Sequence, residues 1–343
     1  MNDNQTIFDS LQAEIMGSTL PEDEKNHRLS ALGKISRRHI NIMLVGASGS
    51  GKSSTINALF DMSVAKVGMG VDPETKEIAR FDLGNMTIWD TPGLGDGVTA
   101  DKLHTEQIVK KLSEVDSDGK LLIDLVLVVL DAGSKDLAVS YNIINNTLIP
   151  SLGQMNTNRI LVGLNQADLA MKGRHWNHDL NQPEEKLVSF LEEKANSVQR
   201  RIHEATGVHI EPVWYCAGYM SEDGIQRHYN LSKLLYYILM AVPAEKRLLL
   251  VDKLNTSESN WNSNDADYTE AVKHSFFEGL LKDILAGLEK GAIAGGCVIG
   301  VPGMLAGGLI GAVTGGLYAL IIKPMKKLRS LKKLGLLVKG LVF

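Results

Sequence analysis

The sequence holds only two cysteines, Cys216 and Cys297. Two thiols cannot build a disulfide framework or a four-thiolate zinc site, so a reducing, cytoplasmic setting is expected. Basic residues are not in excess. The formal net charge is −4, which excludes a globally basic nucleic-acid binder, and no DNA partner is expected. The opening MNDNQTIFDS lacks both a basic n-region and an apolar h-region, so no secretory signal is expected. No strand pattern continues beyond residue 245. Against these shortages stands a 44% hydrophobic content, enough to bury a full core and to exclude a disordered chain.

Four segments follow from the pattern. Residues 1–38 read as a helical appendage of two short helices meeting near Leu20-Pro21, with acids after Pro21 suited to a first turn. Residues 39–245 alternate strands and helices, which gives α/β architecture: a doubly wound, mostly parallel sheet covered on both faces. The strands are INIMLVG, EIARFDL, MTIWD, IDLVLVVLDA, RILVGLN and HIEPVWYCA, with Gly84-Asn85 turning a hairpin that adds one antiparallel strand. Residues 246–270 are polar in their second half and read as a linker. Residues 271–343 read as a glycine-rich, basic-tailed helical region.

GASGSGKS at 46–53 fits G-x-x-x-x-G-K-[ST] and lies between an apolar strand and a helix. Gly46, Gly49 and Gly51 allow the backbone, with Ala47, Ser48 and Ser50, to turn successive N–H groups inward as an anion nest. The helix behind it directs its positive end at the same point. Lys52 can reach β- and γ-phosphates, Ser53 can ligate Mg²⁺, and Ser54 can add a phosphate contact. In IWDTPGLGDG, Asp90 ends a strand where a carboxylate can hold a Mg²⁺-bound water. The bare N–H of Gly93 can approach a γ-phosphate oxygen. Between these motifs, Thr75 is the candidate switch threonine toward Mg²⁺ and γ-phosphate. The alternative is a turn residue beside Pro73.

NQAD at 165–168 follows a strand. Asp168 can accept from guanine N1–H and N2–H₂, a donor pair adenine lacks. Asn165 can contact the base N7 and tie its loop to the cradle. Gln166 stands where a lysine stem usually covers the purine face. Backbone N–H groups around Cys216, Ala217 and Gly218 can meet guanine O6. An ordinary Asx turn is the alternative reading of NQAD. His175 and His178 are three apart but read as a solvated loop rather than a metal site.

In this order the motifs resemble the translation-factor-like P-loop GTPases, the Era/TrmE-like group in particular. GKSSTINALF is also similar to Toc/AIG-type and immunity-related GTPases. Closest of all is a family of bacterial and prophage Era-like GTP-binding proteins sharing WDTPGLGDG, NQAD and a glycine-rich C-terminus. The resemblance covers roughly residues 40–242. It implies binding of GTP or GDP with Mg²⁺ through Lys52, Ser53, Thr75, Asp90, Gly93, Asn165 and Asp168, with Lys52, Thr75 and Gly93 serving hydrolysis. Leu94 stands where Ras-like relatives carry a water-orienting glutamine, which implies slow intrinsic hydrolysis stimulated by a partner or a homodimer through the nucleotide face. A scaffold that binds without turnover is the alternative, and use of ATP a third. Era itself adds an RNA-binding KH domain. No βααβ pattern follows here, so RNA or ribosome binding is without sequence support.

Residues 291–322 carry ten glycines and no ionised side chain. Ala292–Ile322 as one helix would run about 46 Å, longer than a ~30 Å bilayer core, and Pro302-Gly303 divides it. The tail KPMKKLRSLKKLGLLVKG adds seven basic residues and no acid. Two readings of 291–343 stand: peripheral or inserted contact with the cytoplasmic face of a membrane, or a soluble glycine-zipper pair.

Overall fold

A computed structural model of the 343-residue chain describes residues 6–60, 77–95, 97–218, 227–255, 257, 260–261 and 266–285. Thr75 and the glycine-rich and basic stretch 291–343 lie outside the described residues.

Six strands form the central sheet: β1 (Ile40–Gly46), β2 (Ala79–Asp82), β3 (Met86–Asp90), β4 (Leu125–Asp131), β5 (Ile160–Asn165) and, after a small β6–β7 hairpin (Trp176–Asn177 and Gln182–Pro183), β8 (Val213–Trp214). Their spatial order is β2-β3-β1-β4-β5-β8. All neighbours run parallel except β2 against β3. The expected Gly84 turn joins that antiparallel pair, with Gly84 at φ +75°. Every residue of β1 and β5 is buried. Such continuous apolar strands are what a sheet covered on both faces requires.

Alternation along the strands divides the interior. Ile42, Leu44, Leu125, Leu127 and Val129 enter one core, while Met43, Val45, Val126, Val128 and Leu130 enter the other. On the first face lie α1 (Ile7–Gly17), α2 (Glu22–Ser36), α3 (Lys52–Leu59), α8 (Leu231–Ala241) and α9 (Ala266–Leu285). On the second lie α4 (Val98–Leu112), α5 (Ala138–Ile143), α6 (Ile149–Leu152) and α7 (Glu185–Thr206). The helical stretch from Ala138 to Leu152 is interrupted. Pro150 has no N–H to continue the ladder, and the chain widens into a π turn at Ile144–Leu148 before α6.

Three expectations need correction. The strand expected over HIEPVWYCA pairs with β5 only at Val213 and Trp214, opposite Gly163 and Leu164; Pro212 lacks a donor for the ladder on one side, and Cys216 on the other bridges Tyr229 instead. Residues 246–254 are not a linker. Leu248, Leu249, Leu250, Val251 and Leu254 are buried in the first core, as a run of apolar side chains demands, and Lys246 pairs with buried Asp124 at 2.7 Å. The C-terminal region does not begin as a separate body at 271 either, because Val272 and Phe276 of α9 enter the same core.

The N-terminal appendage is equally integral: Leu11 and Ile15 have no exposure, and the Asp252 carboxylate accepts from the Ile7 N–H at 2.7 Å. Leu11→Ala should therefore lower unfolding stability by about 3 kcal/mol, read by urea denaturation. A loss within experimental error would show that α1 is not part of the cooperative core.

Candidate nucleotide site

The site lies at the carboxyl ends of β1, β3, β4 and β5, where loops converge at the edge of a parallel sheet. β1 delivers Gly46, and a Cβ there would run into the Val129 carbonyl oxygen on β4. The chain can therefore leave β1 closely only through glycine. Gly49 and Gly51 adopt φ +75° and +87°, and the Ser50 N–H closes the loop onto the Ala47 carbonyl at 3.2 Å. α3 starts at Lys52, with Ser53 exposed and Ser54 half-buried in its first turn. The Lys52 ammonium lies across the loop, bonded to the Gly46 and Ala47 carbonyls at 3.1 and 3.3 Å.

Asp90 ends β3 in register with Leu44. Burial pushes its pKa up, opposed by the Lys52 charge and a hydrogen bond from Ser53. One carboxylate oxygen, Oδ1, is buried with no protein partner. An orphaned anionic oxygen beside a serine hydroxyl fits a hard cation. Mg²⁺ in such a site takes one carboxylate and draws its other oxygens from phosphate and water. Among the described residues no group of three or more His, Cys, Asp or Glu side chains is placed to hold a metal ion. His175 Nδ1 pairs with Glu184 at 2.9 Å.

Gly93 sits on the cradle. A Cβ there would lie 2.5 Å from Ser48 Oγ and 2.8 Å from Ser48 Cα. Leu94 is strapped to the loop by two bonds of 3.2 Å, its N–H to Gly46 and its carbonyl from Ser48 N–H. Its side chain turns away into the second core at 3% exposure.

The base-reading candidates come from the next strand. Asn165 is buried. Its Nδ2 donates to the Ser50 carbonyl at 3.0 Å and its Oδ1 accepts from the Ala217 N–H at 2.9 Å. Gln166, at φ +61°, spans to the Gly49 carbonyl at 2.8 Å, so it ties the two loops together. The Cys216 thiol donates to Asp168 Oδ1 at 3.0 Å. Burial pushes that thiol well above its ordinary pKa, and the Asp168 carboxylate adds to the shift. The buried Cys216 thiol thus has a polar role: it holds one oxygen of Asp168. Thus every described candidate from 46–54, 90, 93, 165–168 and 216–217 converges on one edge of the sheet.

Sequence reasoning missed two residues. Lys194 on α7 bonds the Ala132 and Ser134 carbonyls, each at 2.5 Å, and so fixes the loop after β4. Tyr215 is wholly buried. A glycine inside a strand, Gly163, was its available signal, because such a glycine marks a close approach.

Residues 41–166 match the family model described as a 50S ribosome-binding GTPase. The match supports a P-loop GTPase domain, and the mainly parallel α/β sheet is consistent with it. It does not single out the Era/TrmE-like branch, and it spans less than half of the chain. No curated protein matches. Among solved structures, a probable GTP-binding protein engB is 18% identical, covering 59% of this chain and 97% of that one, with a TM-score of 0.37. Toc33 from Arabidopsis thaliana in complex with GDP and Mg²⁺ is 16% identical over 67% of this chain and 96% of that one, TM-score 0.42. The bacterial dynamin GTPase LeoA from ETEC is 18% identical over 81% of this chain and 45% of that one, TM-score 0.37.

The Cys216 bond has a chemical consequence. The raised thiol pKa keeps thiolate scarce at neutral pH, so the Cys216 peptide should stay unlabelled by iodoacetamide at pH 7.5 while the chain is folded and label in urea. Because the folded pKa is the higher one, this group's contribution to stability is lost as pH rises above the ordinary thiol range. Rapid labelling of the native protein would contradict the burial.

Proposed function

We propose that the chain binds GTP and GDP with Mg²⁺ and hydrolyses GTP slowly, as a nucleotide-controlled switch. The observation that carries the reading is the junction at Asn165, where the anion cradle and the Asp168 loop are bonded to one another at one sheet edge. Phosphate charge at one end and a guanine donor pair at the other are the two demands that such a junction meets.

The roles follow from the geometry. Cradle N–H groups and Lys52 bind the phosphates, and on binding Lys52 exchanges two neutral carbonyls for anionic oxygens. Asp168, held by the Cys216 thiol, accepts from the guanine edge. The Cys216 and Ala217 N–H groups are bonded to the Tyr229 carbonyl and to Asn165 Oδ1, so a contact to guanine O6 requires one of them to exchange that partner. Ser53 and Asp90 would hold Mg²⁺, with Thr75 as a further ligand, and the ion would supply neutralisation of phosphate charge. The Gly93 N–H reads the γ-phosphate. With Leu94 committed to the core, its side chain cannot orient water, so hydrolysis depends on a group brought by a partner or by a second copy across the nucleotide face.

Two extensions belong to this reading. The basic tail and apolar glycine-rich stretch at 291–343 support a coupling of nucleotide state to membrane association or self-association. Among the described residues no helix is long and apolar enough to cross a membrane, so that coupling rests on composition. The family description favours a ribosomal partner as the second reading; co-sedimentation with 50S particles in each nucleotide state tests it.

Calorimetry should find GTP and GDP binding with Mg²⁺ and no competition from ADP. Lys52→Ala should weaken binding at least about 100-fold, the loss of a charge-assisted contact of a few kcal/mol. Phosphate release from wild type should be of the order of 10⁻⁴–10⁻² s⁻¹ in single turnover and vanish in Lys52→Ala. Binding without any release would leave the scaffold reading in its place, and equal competition by ADP would remove the guanine assignment.

A further inference from the structure

Tyr215 lies one residue before Cys216, with its ring in the first core and no exposure. Its main chain belongs to the base-reading region: the N–H bonds the Leu164 carbonyl at 2.9 Å, and its own carbonyl accepts from the Ala167 N–H at 3.1 Å. Its side chain leaves that region. The phenol oxygen stands 2.8 Å from Thr55 Oγ1 on α3, and Thr55 Oγ1 stands 2.8 Å from the Gly51 carbonyl.

Only one arrangement of protons satisfies both hydroxyls. Each has one hydrogen. If Thr55 donated to Tyr215, the phenol hydrogen would be left without an acceptor among the described residues in a wholly buried position, a penalty of roughly 1–3 kcal/mol. With Tyr215 donating to Thr55 and Thr55 donating to Gly51, both hydrogens are used. Burial also raises the phenol pKa, so it stays a donor at any working pH.

The chain of bonds ends on the residue where the cradle turns. Gly51 has φ +87°, and a Cβ on its other side would run into Asn165 Nδ2. Space for the tyrosine ring is made by Gly163, where a Cβ would lie 2.8 Å from Tyr215 Cε1. Gly163, Tyr215, Thr55 and Gly51 therefore form one fitted path from β5 to the phosphate loop.

We infer that Tyr215 and Thr55 are positioning residues, a buried strut that fixes the cradle relative to the base-reading loop through Gly51, so that a ligand spanning both subsites depends on it. This rests on the reading of the site as one for a guanine nucleotide.

Tyr215→Phe removes one hydroxyl and leaves the ring. GDP affinity should fall about five- to tenfold, the worth of one buried hydrogen bond, while affinity for guanosine, which occupies the base subsite alone, stays unchanged. Thr55→Val should weaken GDP similarly, and Tyr215→Phe made in that background should add nothing. Should Tyr215→Phe fail to fold, Thr55→Val breaks the same bond and carries the same expectation. Unchanged GDP affinity in a wild type that binds it, equal losses for GDP and guanosine, or additive effects of the two substitutions would each overturn the strut. A wild-type chain that binds neither guanosine nor GDP would instead overturn the functional reading, and the strut with it.

Discussion

Asn165 has one amide nitrogen and one carbonyl oxygen at its tip, and it commits them to different loops. The nitrogen holds the Ser50 carbonyl of the cradle, and the oxygen holds the Ala217 N–H after β8. With Asn165 only 2% exposed, water cannot replace either bond. Three segments far apart in sequence are thereby held at one point. The rest of the site depends on this constraint, because a phosphate subsite and a base subsite are useful to one ligand only at a fixed separation.

Around Asn165 the same connection is made again by other residues. Gln166 reaches Gly49, and Tyr215 reaches Gly51 through Thr55. These bonds lie at different depths, from the exposed Gln166 link to the wholly buried phenol. Redundancy of this kind suits a loop built on glycines, whose backbone entropy is high when nothing restrains it. The contrast with Lys194 is informative. It grips the loop after β4 through carbonyls alone, so it steadies that wall without entering the cradle.

The fold was largely legible because its signals are local. A continuous apolar run bounded by glycine gives β1 and β5, and Gly84 gives the hairpin. What escaped was what depends on partners distant in sequence. Leu248–Val251 looked like the margin of a polar linker, yet four apolar side chains take their place in the first core. Pro212 on one side of β8 and the Cys216 bridge to Tyr229 on the other bound that strand, which the apolar pattern concealed. Within the candidate site, G-x-x-x-x-G-K-[ST] and D-x-x-G pointed to the cradle and Asp90 through spacing together with their places at strand ends. The hydrogen bonds of Cys216 and Tyr215 were not legible. In sequence WYCA is an apolar stretch, and only the positions of Asp168 and Thr55 reveal that the thiol and the phenol are polar partners.

Gly93 and Leu94 bear on the slow hydrolysis proposed for the site. The two residues are laid against the loop by paired backbone bonds between Leu94 and Gly46 and Ser48, with no room for a side chain at Gly93. That strap places the Gly93 N–H beside the cradle and forces the next side chain to the opposite side of the backbone, into the core. A glutamine at 94 in this conformation would bury its amide without a partner, at a cost of roughly 1–3 kcal/mol. Leucine and the strap are therefore mutually consistent, and a polar residue would favour releasing it. The geometry that holds Gly93 against the cradle also turns the Leu94 side chain into the core. On the proposed reading, a group that assists hydrolysis would then have to reach the nucleotide from outside this strap.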